Sequence, residues 1–149
     1  MRHGSRPLAL ALAAGVSVGA APPSSADVVV TATGLRNTKG VVRACMTGEA
    51  DHFPSCSDPA TSYNAVSDAG GTVTLTFHGV KPGRYAIALL HDENGNGKAD
   101  RAAMMIPTEG FGFSRDAKVR FGPPKFGAAA FDVAPGSNEK LVIRMRYLL

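Results

Sequence analysis

The chain has 149 residues, with 16 Lys and Arg against 12 Asp and Glu for a net charge of +4, two cysteines and no tryptophan. That length closes one hydrophobic core and does not close two. Its basic residues alternate with acidic ones instead of forming the patch or stripe that nucleic-acid binding needs, which excludes nucleic acid as an expected partner.

In chain order, residues 1–26 have the pattern of a secretory signal peptide. Arg2 and Arg6 give a basic start, Leu8 to Val18 an apolar run, and Ser24-Ser25-Ala26 small residues before a cut. The run is too short to span a bilayer, no second long apolar segment follows, and so no membrane span is expected. Without Arg2 and Arg6 the 16 basic residues become 14, so the mature part, 27–149, carries +2. The expected location is therefore exported, periplasmic or secreted. There, Cys45 and Cys56, close in sequence but far from Cys-x-x-Cys spacing, are expected to form a structural disulfide instead of a redox or metal pair. Closing so short a loop stabilises by roughly 3 kcal/mol.

Val28 to Thr33 is β-branched and ends at Gly34, a strand. Asn37 to Gly40 gives a turn, and Gly40 to Met46 is expected to be the hairpin partner of the first strand. Pro54, Pro59 and many Ser, Asp and Asn residues make Thr47 to Gly71 a long surface excursion, with a short strand or helical turn near Tyr63 to Val66. In Thr72 to His78, Val73, Leu75 and Phe77 share one face and the threonines and His78 the other, a half-buried strand. After a Pro82-Gly83 turn, Arg84 to His91 is apolar on both faces, the mark of a central strand covered on both sides. Arg101 to Ile106 is expected to form a strand stopped by Pro107, and glycines and prolines break Pro107 to Phe126 repeatedly. Ala128 to Val133 and Glu139 to Tyr147 complete the set, the latter with Leu141, Ile143, Met145 and Tyr147 inward and Arg144 and Arg146 outward. About seven strands predict an all-β fold, an antiparallel β-sandwich of immunoglobulin-like or transthyretin-like kind, with a small closed barrel as the competitor.

One loop stands out. Asp92-x-Asn94-x-Asn96-Gly97-x-x-Asp100 places side-chain oxygens at positions 1, 3, 5 and 9 of a calcium-loop pattern, with Gly97 at position 6 and the Lys98 carbonyl at position 7. The match fails at position 12, where Ala103 stands in place of a bidentate Glu, so Glu93, Glu109 or water would have to complete the shell. Such a site binds weakly, in the roughly 10⁻⁴ to 10⁻³ M range. Against calcium stands a bare turn, because Asn-Gly pairs and Asx side chains close such loops without a metal. On either reading the loop's work is structural, and no cofactor is required.

Four ordered motifs resemble one family. They are Pro82-Gly83-x-Tyr85-Ala86, His91-Asp92-Glu93-Asn94-Gly95-Asn96-Gly97, Ile106-Pro107-x-Glu109-Gly110-Phe111-Gly112-Phe113-Ser114 and Phe121-Gly122-Pro123-Pro124-x-Phe126. Together the chain is similar to the exported bacterial family catalogued as domain of unknown function 2141 (DUF2141), over nearly all of the mature part. The resemblance implies an exported β-domain and transfers no catalytic residue.

The remaining chemistry is sparse. Phe111, Phe113, Phe121 and Phe126 either present an aromatic face to a glycan, small ligand or envelope protein, or anchor a long loop onto the sandwich. Ser114 lacks a Gly-x-Ser-x-Gly elbow, and His52, His78 and His91 lack zinc spacing. Glu109 would have a carboxylate partner only if the fold brings Asp92, Glu93 or Asp100 beside it. The leading expectation is a non-enzymatic envelope binding or accessory module. A glycan- or small-ligand-binding domain using residues 107–126 comes second, and a small hydrolase with Glu109 as acid/base third.

Overall fold

The computed structural model describes Gly19, Ala21 and residues 24–149, so the expected signal peptide lies almost wholly outside the described residues. Among those residues the strands are β1 (Ala26–Thr33), β2 (Val41–Thr47), β3 (Ser62–Asp68), β4 (Val73–Val80), β5 (Gly83–Asp92), β6 (Gly110–Phe113), β7 (Phe131–Val133) and β8 (Asn138–Arg144). One short helix, α1 (Phe126–Ala129), precedes β7. A three-stranded sheet runs β4-β1-β8 and a larger one β3-β2-β5-β6, with β7 pairing the start of β5. This is the expected all-β sandwich. No helix among the described residues is long and apolar enough to cross a membrane.

Alternation builds the core. Val28, Val30 and Ala32 of β1, Val73, Leu75 and Phe77 of β4, and Ile143 of β8 are buried on the inner face of one sheet. Val42, Ala44 and Met46 of β2 and Ile87 and Leu89 of β5 meet them from the other. Each of the Val, Leu, Ile, Phe and Met side chains among them contributes about 1.5–3 kcal/mol on full burial. The inner face of β6 is glycine for a steric reason. A Cβ on Gly110 would lie 2.3 Å from the Tyr147 ring, and one on Gly112 would lie 2.8 Å from Ile143.

Several expectations are corrected. β1 and β2 are not a hairpin: β1 pairs antiparallel with β4 and parallel with β8, whereas β2 pairs with β3 and β5. Turn residues between two strands cannot tell a hairpin from a crossover between layers. The parallel β1–β8 pair also makes the sandwich not wholly antiparallel. In the immunoglobulin order the first two strands are neighbours in one sheet, whereas here β1 and β2 lie in different sheets. Tyr63 belongs to a full strand, β3, which shortens the excursion. Arg101 to Ile106 forms no strand; Ala103–Met105 is a 3-10 turn and only Arg101 bridges to Pro107. Conversely, Gly110–Phe113 is a strand despite its glycines, and Ala128 and Ala129 lie in α1.

The proposed bridge is present. Cys45 and Cys56 are joined, with their Cα atoms 6.0 Å apart. Cys45 lies on the outward face of β2, so the bond holds the Phe53–Cys56 segment against the outside of the larger sheet. A second, smaller cluster forms there around Ala86, Phe113, Ala117 and Ala129, with Phe53, Ala88, Phe111, Val119 and Phe126 packed on it.

Candidate functional site

The outward face of the larger sheet carries two cross-strand rows. Register places Val66 of β3, Arg43 of β2, Leu90 of β5 and Phe111 of β6 in one row. Asn64, Cys45, Ala88 and Phe113 form the next. Adjacent strands lie about 4.8 Å apart, so each row crosses the whole sheet. These residues are the floor of an open groove of about 900 Å³. Its walls come from Pro54 and Ser55, from the 97–107 segment, and from residues 119–123. The volume is within the roughly 300–1,000 Å³ of small-molecule sites.

The rim carries exposed apolar side chains beside exposed Arg101 and Arg120. Met104 is 91 % exposed, Met105 67 % and Phe121 fully so. Met104 and Met105 both hold left-handed backbone, φ 61° and 62°. That conformation is uncommon outside glycine, and strain of this sort clusters at sites that use it. Methionine's unbranched, polarisable side chain adapts to irregular apolar partners.

The phenylalanines divide between the two roles. Phe111 and Phe113 sit 6.0 Å apart on the floor. Phe53 stacks edge-on with Phe113 at 5.8 Å and with Phe126 at 6.1 Å. Phe126 therefore anchors its segment and does not line the groove, while Phe121 stands on the rim. Phe53, Val66, Leu90, Met104 and Met105 were not among the predicted site residues. The one sequence signal for any of them was the second apolar face of β5, which includes Leu90.

The Asp92–Asp100 loop forms one end of the groove and is closed by its own hydrogen bonds. The buried Asp92 carboxylate accepts from Arg43 Nε at 2.7 Å, Gly97 N at 2.8 Å and Asn96 N at 3.0 Å. Burial alone would push its pKa up. The Arg43 guanidinium and the two backbone N–H groups more than offset that and hold it below the ordinary carboxylate value. Asn94 Nδ2 and Asn96 Nδ2 both donate to the Asp100 carboxylate, at 2.6 and 2.8 Å. The four calcium-pattern side chains thus gather in one loop, but Asp92 already faces a guanidinium and Asp100 faces amide nitrogens. The Lys98 N–H donates to Asn96 Oδ1 at 2.8 Å. Among the described residues no three His, Cys, Asp or Glu side chains cluster as metal ligands.

Glu109, 5 % exposed, reaches across the loop's base. Its two oxygens accept from Glu93 N at 3.0 Å and Asp100 N at 3.1 Å. Glu93 points away, toward Arg36 at 2.7 Å and Asn37 at 2.9 Å. Burial would raise the Glu93 pKa, but these partners lower it. Arg36 also donates to the Thr108 carbonyl and lies over the Tyr147 ring at 4.6 Å. One guanidinium thereby ties the β1–β2 connection to the loop and to the C-terminal segment.

Candidate acid–base groups are similarly engaged. His91 Nε2 donates to the Lys39 carbonyl at 2.8 Å, which leaves Nδ1 to accept from the Tyr147 hydroxyl at 2.7 Å. Ser114 Oγ accepts from Ile87 N at 2.9 Å and donates to the Ala129 carbonyl, fixing the turn after β6. His78 is exposed beside Asp27 at 3.2 Å, and His52 lies in the Ala50–His52 turn, so the three histidines are not brought together.

A family model described as an uncharacterised protein conserved in bacteria, DUF2141, matches residues 30–141. No curated protein and no solved structure matches the chain. The matched span includes the loop, the groove floor and most of the wall segments.

Proposed function

The chain belongs to the DUF2141 family, and from that premise we propose that it is an exported, non-enzymatic binding protein whose groove over the larger sheet holds an apolar ligand. The observation that carries this reading is the floor itself. A sheet face bearing half-buried Ala88, Leu90 and Phe111 is left partly open to solvent under a rim of exposed Met104, Met105 and Phe121. An apolar concavity of this extent on a folded domain marks a binding surface.

Binding fits better than catalysis because Glu109, Asp92, His91 and Ser114 are each occupied by structural hydrogen bonds. Export is supported by the Cys45–Cys56 bond, which persists in oxidising compartments. The Asp92–Asp100 loop works as a self-closed wall of the groove, with no need of calcium. A glycan is a poorer fit than an apolar ligand, since Asn64 and Arg43 are the polar side chains of the two floor rows and Arg43 is held by Asp92.

The test is titration with N-phenyl-1-naphthylamine, a neutral dye that fluoresces on leaving water. Saturable binding at one dye per chain is expected, and Leu90→Glu should abolish it while the variant still melts cooperatively. A Leu90→Glu protein that is folded and binds the dye as the wild type does would refute the groove as the site.

A further inference from the structure

We propose, resting on the groove being a binding site, that its ligand is a single-chain anionic amphiphile, a fatty-acid carboxylate whose head group pairs with Arg101 and Arg120. Three observations lead there. The first concerns what the floor can satisfy. Its middle is the face of a sheet, not an edge, and the backbone N–H and C=O groups of β2 and β5, each paired on both sides, are committed to their ladders. A peptide laid across it would desolvate its own amides against Leu90 and Phe111 with no partner to receive them, which is unfavourable. An alkyl chain has no such groups, and every CH₂ it buries against the floor favours binding.

The second is charge. Three arginines and two carboxylates line the groove. Both carboxylates are already engaged: Glu109 by two backbone N–H groups and Asp100 by the Asn94 and Asn96 amides. Arg43 is paired with Asp92. Arg101 and Arg120 are exposed and form no ion pair among the described residues. The accessible, uncommitted charge along an apolar floor is therefore positive, and a planar guanidinium matches a carboxylate in a two-bonded fork.

The third is the rim. Met104 and Met105 belong to the same short segment as Arg101, so the polar contact and the adaptable apolar contact lie a few residues apart. That order, charge first and apolar side chains next, is the order of an amphiphile.

The experiment is isothermal titration of the disulfide-bonded protein with decanoate and, at equal chain length, decan-1-ol, both below their aggregation limits. Decanoate is expected to bind at least tenfold more tightly than the alcohol. Arg101→Ala with Arg120→Ala should bring decanoate down to the alcohol's affinity and leave the alcohol unchanged. The Lys pair at the same positions should recover part of the difference. Equal affinity for acid and alcohol, with Leu90→Glu abolishing both, would overturn the anionic head group and keep the groove. No binding of either, with a dimer in solution that buries Met104 and Phe121, would overturn the groove reading as well.

Discussion

Glu109→Gln is the most informative single change, because it separates a brace from an acid. The substitution is nearly isosteric and removes one charge. In the wild type, one Glu109 oxygen accepts from Glu93 N and the other from Asp100 N, so the side chain clamps both ends of the loop. Gln keeps one carbonyl oxygen and puts an NH₂ where the other was, so a buried N–H would face an N–H. Hydrogen bonds to a charged acceptor contribute about 1.5–3 kcal/mol each, and a stranded buried donor costs about 1–3 kcal/mol. The expected loss is about 2–4 kcal/mol, or on the order of 10 °C in Tm for a domain of this size. Urea unfolding gives the magnitude. Native-state hydrogen exchange gives the location, since the Glu93 and Asp100 amides should lose protection while Leu89 in the middle of β5 keeps it. A change below about 0.5 kcal/mol with both amides still protected would refute the brace. Loss of some hydrolytic activity at unchanged stability would instead give Glu109 the acid role set aside above.

Three further outcomes are expected. Asp92 and Glu93 are held below their ordinary pKa values in the folded protein, so their contribution is complete above the unfolded values near pH 4 and lost as pH falls through the folded ones. Urea midpoints measured from pH 6 to pH 2 should fall across that window, and Asp92→Asn with Glu93→Gln should flatten the slope; an unchanged slope would show that other carboxylates carry it. Replacing Cys45 and Cys56 with Ser should cost about 2–3 kcal/mol and weaken dye binding, because the Pro54–Ser55 wall is tethered there; unaltered affinity would remove that wall from the site. Calcium at 10 mM should move Tm by less than about 1 °C, since Arg43 already neutralises Asp92. A site with a dissociation constant near 1 mM would instead add about 1.4 kcal/mol and several degrees, which would mean that Asn94 and Asn96 turn their amide oxygens toward a bound ion.

The strands were legible wherever alternation was undiluted. Val73, Leu75 and Phe77 on one face of β4, and Leu141, Ile143 and Met145 in and just beyond β8, are placed as their period required. Pairing was less legible, because which strand lies beside β1 depends on how the layers close and not on β1's own residues. The glycines of β6 were misleading for a definable reason. Gly110 and Gly112 look like breaks in sequence, yet they are where β6 must approach Tyr147 and Ile143 too closely for any side chain. The calcium-like spacing was legible, but the pairing of Asp92 with Arg43 was not, since the two lie 49 residues apart.

The groove was half legible, and the half that was visible explains the rest. β5 carries Tyr85, Ile87 and Leu89 on one face and Ala86, Ala88 and Leu90 on the other, and a strand apolar on both faces must be covered on both. The sandwich core covers the first face. The second face is covered only in part: Phe53, Phe113, Ala117 and Ala129 close over Ala86, while Ala88 and Leu90 remain half-buried. Covering that second face needed no third sheet, only irregular segments tied down by one disulfide and a few phenylalanines. Loops leave gaps, and here the gap lies over Ala88, Leu90 and Phe111 and extends to Asn64. The segments on either side of β6 carry Met104, Met105 and Phe121 outward instead of folding them over Leu90, so these side chains keep their solvent contact. On the proposed reading, a ligand lies over that incompletely covered floor, in the place these side chains leave open.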